Sequence, residues 1–311
     1  MSIKTEQERK DESQGVFFRE QLTVMKATAL EKKYPAKMGR RIVPVSNEGG
    51  AGAVFRKWRM FDRLGVAKAL SEAADNVPFV SLTGQEFSSK AHSYAIAAPF
   101  TDDEIEQAQF AGVPLSQMKI NAMRDGYEDT VDDLILLGNK EEGIQGLLDH
   151  PNIAVYTPGT SAGAGDDTFP NKTALEIVAD YDAVITGIRV ATKRTQQVNL
   201  VLQSVERLAL IARTPMGTGD TGYTILKHLQ ATYPGVIFDA VDQLSTAGVG
   251  GTQRLIAMEQ SADVLDFWEP QTYTMYPEFK DKPFRRVVPA KGRCGGVSLY
   301  RPLAVAFMDN I

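Results

Sequence analysis

The stretch PLSQMKINAMRDGYEDTVDDLILLG, residues 114–138, constrains the fold more than any other. Ile120, Met123, Tyr127, Val131 and Leu134 recur at three and four residues, which puts them on one face of an α-helix. At about 1.5 Å per residue the span 114–137 predicts a rod of roughly 35 Å. A rod of that length needs an extended surface to lie against. Gly126 is a weak point inside it, and Gly138 is the expected stop. Just upstream, TDDE at 101–104 has the Thr-x-x-Glu spacing of a capping box, in which the hydroxyl and the carboxylate satisfy orphan backbone N–H groups. These carboxylates read as caps and not as catalytic groups. The helix they open is expected to end at Gly112.

The flanks predict mixed structure. In 54–74, VFRKWRMFDRLGVAKALSEAA, the apolar positions Trp58, Phe61, Leu64, Val66 and Leu70 fit a short helix or two. VPFVSL (77–82) and SYAIAA (93–98) are β-prone, and the polar TGQEFSSKAH between them predicts a protruding hairpin. GLLDHPNIAVY reads as a turn and a strand, and TPGTSAGAGDDTFP as a loop. Residues 171–191 and 220–231 read as helical, and 200–212, 236–241, 253–258 and 263–268 as β-prone or mixed. RRVVPAKGRCGGVSLYRPLAVAFMDNI reads as two strands around the turn KGRCGG. Residues 1–50 lack periodicity and read as an extended or partly helical arm. There is no internal repeat. The class is α+β.

Composition sets limits on function. A hydrophobic content of 43% over 311 residues suffices for one large domain or two ordinary ones. A net charge of −5 excludes a chain that is basic throughout, as a nucleic-acid clamp would be. Residues 1–41 carry ten Lys/Arg against six Asp/Glu, so the arm is either a partner-contacting segment or a solvated tail. Cys294 is the one cysteine, so no intrachain disulfide can form. The opening MSIKTEQERKDESQG has no apolar core of a secretory signal, and no apolar run is long enough to span a membrane. A soluble, intracellular chain is expected.

Two motifs invite enzymatic readings. GTGDTG at 217–222 has the G-x-G-x-x-G spacing of a dinucleotide site, with Gly217, Gly219 and Gly222 as its glycines. RLALIA upstream reads as a strand, TGYTILKHLQATY downstream as a helix, and GVIFDA ends in a candidate ribose partner, Asp239. Against this, the motif lies two-thirds along the chain, Pro215 interrupts it, and the repeated βαβ units of such folds are missing. The plainer reading is a glycine-rich loop in which Thr218 or Asp220 caps the next helix. GTSAG at 159–163 matches G-x-S-x-G, with Asp182 and His228 in hydrolase order. However, Ser161 is followed by a loop where a nucleophile elbow needs an immediate helix. Asp166 and Asp167 lie in that loop, where a solvated turn is the default. His92, His150 and His228 show no metal-ligand spacing. No catalytic, cofactor or metal residue is therefore assigned.

The order of arm, helix, hairpin, capping box and long helix, followed by GIQGLLDHPNI, resembles the major capsid proteins of tailed double-stranded DNA phages with the Hong Kong 97 fold. Encapsulin shell proteins share that fold. Trp58, FDRLGVAKAL, VPFV, SYAIAAPFTDDEIEQA, DLILLGNKEEGIQGLLDHPNI and the closing RCGGVSLYRPLAVAFMDNI carry the resemblance, which spans about 55–311. It implies an arm at 1–50 and an extended loop at 76–100 lying across a neighbouring subunit. It also implies a peripheral domain from 51–75, 101–170 and 285–311, with 114–137 as its spine helix, and an axial domain at 171–284. The implied function is a structural subunit that self-assembles into hexamers and pentamers around packaged double-stranded DNA, in a virion put together in the host cytoplasm. Portal, scaffolding and decoration proteins are further implied partners, any scaffold being a separate chain. Trp58, Phe87, Lys90, Tyr94 and Arg124 are the expected assembly residues. Some relatives cross-link a loop lysine to an asparagine; no partner for Lys90 can be assigned, so non-covalent assembly is expected. An encapsulin-type compartment is the alternative of the same fold, and the dinucleotide enzyme the alternative of another class.

Overall fold

The computed structural model describes residues 36–64, 79–112, 114–161, 167–217 and 222–311. The first elements are a helical turn α1 (Gly39–Ile42), β1 (Val45–Ser46), β2 (Phe55–Leu64), β3 (Ser81–Lys90) and β4 (His92–Thr101). Helices α2 (Asp102–Ala111) and α3 (Leu115–Leu136) follow. Thr101 caps α2 with both arms of the expected box formed, and Gly112 closes it at φ 68°. Next come three short strands, β5 (Gly138–Asn139), β6 (Ile144–Gln145) and β7 (Ala154–Tyr156), and then α4 (Ala174–Ala191). The remaining helices are α5 (Val205–Arg213) and α6 (Ile225–Thr232), set around β8 (Leu200–Gln203) and β9 (Ile237–Ala240). The chain finishes with β10 (Arg254–Met258), β11 (Leu265–Trp268), β12 (Gln271–Met275), β13 (Phe279–Lys282), β14 (Arg285–Cys294), β15 (Val297–Leu299) and β16 (Val305–Asp309).

The rod finds its surface. β4 and β14 pair antiparallel over ten positions, from Arg285↔Thr101 to Cys294↔His92, and β12 and β13 add to the other edge of β14. Ile96, Ala98 and Phe100 of β4 meet Met123 and Ile120 of α3. Further along α3, Tyr127, Val131, Leu134 and Ile135 enter the main core. Each fully buried side chain of this kind contributes about 1.5–3 kcal/mol, against a few tenths per residue from helix propensity, so packing and not propensity keeps α3 unbroken across Gly126. The glycine also has a packing role, since a Cβ there would sit 3.3 Å from Ile96 Cδ1.

A five-stranded sheet has the order β7-β16-β10-β8-β9, and its three inner strands are buried on both faces. Strand alternation sends Leu200, Leu202, Ile256, Met258, Val305 and Phe307 into the core shared with α3. Val201, Leu255, Ala257, Ala306 and Met308 point the other way, onto α4, α5 and α6. That double burial explains why these segments are apolar without alternation.

Four local expectations are overturned. Residues 55–64 form a strand and not a helix, because β2 and β3 pair through ten consecutive residues from Phe55↔Lys90 to Leu64↔Ser81. The polar TGQEFSSKAH is therefore mostly strand β3 and not a connection; the ribbon pairs 81–90 with 55–64, while 92–101 belongs to the sheet with β14. RLALIA lies in helix α5, whose Ser204 hydroxyl accepts the Arg207 N–H. At the C-terminal end β14 runs through KGRC, the turn is Gly295–Gly296, and three strands form instead of two. Val66 and Leu70 lie outside the described residues.

Candidate functional site

The β2–β3 ribbon is the feature that the fold leaves unexplained. Two strands alone are marginal in water. Almost every β3 side chain is exposed. Phe55, Phe61 and Leu82 are each more than 60% exposed, and Phe61 lies over Gly84, whose missing side chain leaves room for the ring. Lys57 and Arg59 grip Glu86 across the same face at 2.8 and 3.0 Å, and these bonds hold the Glu86 carboxyl below its usual range. Both ribbon edges carry unpaired backbone groups.

The root of the ribbon is rigid. The Arg56 guanidinium is buried and donates to both Asp266 oxygens, at 2.9 and 2.6 Å, to Ser298 Oγ at 2.7 Å and to Tyr300 Oη at 2.7 Å. It also lies 5.6 Å from the Trp58 ring centre, 5.5 Å from Trp268 and 5.8 Å from Tyr300. Burial opposes its charge, but the Asp266 bonds outweigh that and raise its pKa. Sequence reasoning missed Arg56. Its partner is 210 residues away, and only the Arg-x-Trp alternation of a strand hinted at a common face.

The five expected assembly residues are not one cluster. Trp58 and Phe87 face each other across the ribbon, rings stacked at 5.9 Å and 17°, with Tyr300 edge-on to Trp58 at 5.5 Å. Lys90 is exposed at the ribbon root opposite Phe55. Tyr94 is not on the ribbon: it sits in β4, packs on the main core and donates its hydroxyl to Glu142. Burial and that bond raise its pKa. Arg124 is exposed on α3 and lines a hollow of about 620 Å³ with Arg40, Glu128 and Tyr273.

The enzymatic motifs do not assemble. Helix α5 stands where a dinucleotide fingerprint needs a strand, and the bridge Pro215↔Thr224 closes the loop between them. Thr224, and neither Thr218 nor Asp220, caps α6. Gly219, Thr218 and Asp220 lie outside the described residues, as does Asp166. The Asp239 carboxylate pairs with Arg41 at 2.8 Å. Ser161 is in a loop, its N–H donating to Asp167, and the next long helix starts only after Thr173. His228 contacts the Tyr223 hydroxyl at 3.3 Å. Among the described residues no group of three or more His, Cys, Asp or Glu could hold a metal ion, and no helix is long and apolar enough to cross a membrane.

A second surface lies at the entry to the body. Lys37 pairs with Asp129 at 3.1 Å, Arg40 with Glu128 at 2.9 Å and, through both of its terminal nitrogens, with the fully buried Glu269. The Gly39 N–H donates to Asp132. Residues 37–46 are thus strapped along an acidic stripe of α3 and end in β1, which pairs parallel with β11.

Comparison with solved structures places this architecture. The capsid of Myoviridae phage XM1 superposes with a TM-score of 0.82 at 17% identity, over 96% of this chain and 100% of that one. A structure from Mycobacterium phage Bobi gives 0.61 at 14% identity, over 94% and 98%. The capsid of a native GTA particle, computed with C5 symmetry, gives 0.65 at 11%, over 92% and 94%. The fold is the Hong Kong 97-like fold of phage capsid proteins. No curated protein matches the sequence. The family model for major capsid proteins matches residues 65–311. A structural subunit of a capsid shell accounts for both the fold and an exposed, rigidly rooted ribbon, and the chain belongs to the major capsid protein family.

Proposed function

We propose that the protein closes into an icosahedral head by forming hexamers and pentamers, each subunit laying its β2–β3 ribbon on a neighbour. One observation carries this reading: a ten-pair ribbon held by a buried arginine leaves Phe55, Phe61 and Leu82 each more than 60% exposed. Covering such apolar groups is worth about 25 cal/mol per Å² removed from water, which a closed shell collects at every copy of the same heterologous contact. In this reading 1–50 is the arm and the ribbon supplies the extended loop, so the loop begins near Phe55 and its 92–100 part stays in the body sheet. Helix α3 is the spine of the peripheral domain, and 171–284 forms the axial domain around the symmetry axes. Assembly is non-covalent, takes place in the host cytoplasm and encloses double-stranded DNA; portal, scaffolding and decoration proteins complete the virion.

The test is electron microscopy of the purified protein, alone and co-expressed with its neighbouring genes, beside the variant Phe55→Ser/Phe61→Ser/Leu82→Ser. Closed shells or five- and sixfold rings from the wild type, lost in a variant that still folds, support the reading. A uniform small oligomer under every condition overturns it. Mass ladders in denatured particles would refute non-covalent assembly.

A further inference from the structure

At the C-terminal end of α4 the chain makes an unusual turn. Lys193 and Arg194 both adopt left-handed backbone conformations, φ 51° and 67°. The Arg194 N–H returns to the Arg189 carbonyl at 2.8 Å and the Lys193 N–H to Val190 at 3.1 Å, so the pair caps the helix. Glycine makes such a cap without a Cβ penalty. Here two long cations occupy it instead and join Arg189 one turn earlier. All three are exposed, and among the described residues none of them forms an ion pair.

They surround a hollow of about 600 Å³ completed by Thr186, Gln197 and Tyr233, which continues past Asn199 into a second of about 570 Å³. Two carboxylates stand on its flanks. Glu259 accepts the Gln197 N–H at 2.9 Å, and Asp182 lies beside Tyr233 and helps raise its pKa, behind burial as the larger cause. Three cations against these two carboxylates leave a local excess of positive charge in a chain of net charge −5. The first hollow offers one aliphatic side chain, Val190, and that stands at the rim, 71% exposed. A protein partner would anchor large apolar groups in a pocket, and the first hollow gives them little aliphatic lining; Ile185, Val198 and Val236 belong to the second. Arginine, lysine, threonine, glutamine and tyrosine all donate to phosphate oxygens, and contacts of that kind carry no sequence information.

We propose that the groove formed by Arg189, Lys193, Arg194 and Tyr233 binds the phosphate backbone of double-stranded nucleic acid, independently of sequence. This rests on the reading of the chain as a shell around DNA, and gives the acidic body one defined point of contact with its contents.

The test uses unassembled full-length protein and a short DNA duplex of random sequence, with binding followed by fluorescence anisotropy across a salt series. Each phosphate contact contributes about 0.9 to the slope of log affinity against log salt, so Arg189→Gln/Lys193→Gln/Arg194→Gln is expected to lower the slope by about 2.7. A second variant, Lys193→Gly/Arg194→Gly, removes two charges while easing the turn, and is expected to lower it by about 1.8. Lys140→Gln/Lys280→Gln/Lys282→Gln is the control of equal charge and is expected to leave the slope unchanged. No duplex binding by the wild type, an unchanged slope in both groove variants, or an equal loss in the control overturns the proposal. Wild-type duplex binding by a groove variant that no longer forms particles also overturns it, and assigns the cations to a neighbouring subunit. Failure of the wild type to form shells in the microscope would instead sink the shell reading, while the salt slope still decides the groove.

Discussion

Replacing Arg56 by methionine tests the rooting of the ribbon. The substitution keeps most of the stem volume and removes the guanidinium. Asp266 would then be buried with one fewer charge partner, keeping only the Tyr300 hydroxyl at 3.0 Å from its Oδ1. Breaking a buried, hydrogen-bonded pair from one side costs about 3–5 kcal/mol, since the remaining carboxylate keeps its desolvation penalty. That is a fifth or more of the 5–15 kcal/mol that holds an ordinary domain together. Adding Asp266→Leu removes the orphaned charge, so the double variant is expected to recover most of the loss. The readout is built in, because the chain's two tryptophans, Trp58 and Trp268, both flank the guanidinium. Urea unfolding of the unassembled subunit, followed by tryptophan emission, should show the Arg56→Met midpoint well below the wild type and the double variant between them. A loss under about 1 kcal/mol, or a double variant worse than the single, would refute the reasoning.

Other outcomes follow from buried positions. A Cβ at Gly292 would run into the Tyr127 hydroxyl, so Gly292→Ala should cost about 1–3 kcal/mol in the same urea assay; a neutral result would show that α3 can shift off β14. Burial lowers the pKa of His150, whose Nδ1 accepts the Asn152 N–H at 3.3 Å. Its neutral form stabilises the native state fully above the unfolded value of about 6.5, and this is lost as pH falls through the native pKa, at up to about 1.4 kcal/mol per unit. His150→Gln should therefore flatten the stability profile between about pH 6.5 and that lower value; parallel profiles would contradict it. Burial, with Glu269 nearby, pushes the Cys294 thiol up to about 12, so at pH 8 a thiol reagent should react only at the rate of unfolding. Fast labelling of the folded subunit would be inconsistent with that.

Legibility in the sequence followed the range of the interactions. Thr101 and Glu104 are three residues apart, and Gly112 and Gly138 act through their own backbone at φ 68° and 73°, so the helix boundaries could be read locally. The α3 stripe could be read because its buried face repeats with the helix itself. The ribbon could not. Trp58 and Phe61 suit a helical period, and only pairing with 81–90 makes that stretch a strand. RLALIA looked like a strand because its apolar run is short; Ser204 and Glu206, a cap and a first-turn acid, were the missed signals. Of the assembly residues, Trp58 and Phe87 met as cross-strand partners, whereas Tyr94 was placed on the loop because 92–101 was not recognised as the partner of a strand nearly 200 residues away.

The buried charges share a logic that apolar packing could not supply. Strand β11 and the residue after it hold two departing segments at once. Asp266 receives Arg56 at the ribbon root, and Glu269 receives Arg40 from the strap. Between them the Phe267 N–H pairs with the Pro44 carbonyl and the Trp268 indole donates to Glu48. The ribbon leaves its large apolar groups Phe55, Phe61 and Leu82 exposed and does not use them to dock on its own body, and an apolar contact there would tolerate sliding by a residue. A bidentate arginine–carboxylate pair fixes both position and angle. Its net contribution to stability is small once desolvation is counted, so we read its use here as positional: it fixes the direction of the ribbon, as the proposed contact with a neighbour requires. A second bidentate pair joins Arg254 to Asp309 at one end of the interior strands β10 and β16, and a buried lysine–carboxylate pair, Lys172 with Asp180, holds the Gly159 N–H as well. On this argument Arg56→Met with Asp266→Leu would restore the subunit's stability yet leave shells irregular or absent, because the ribbon would be attached but no longer aimed.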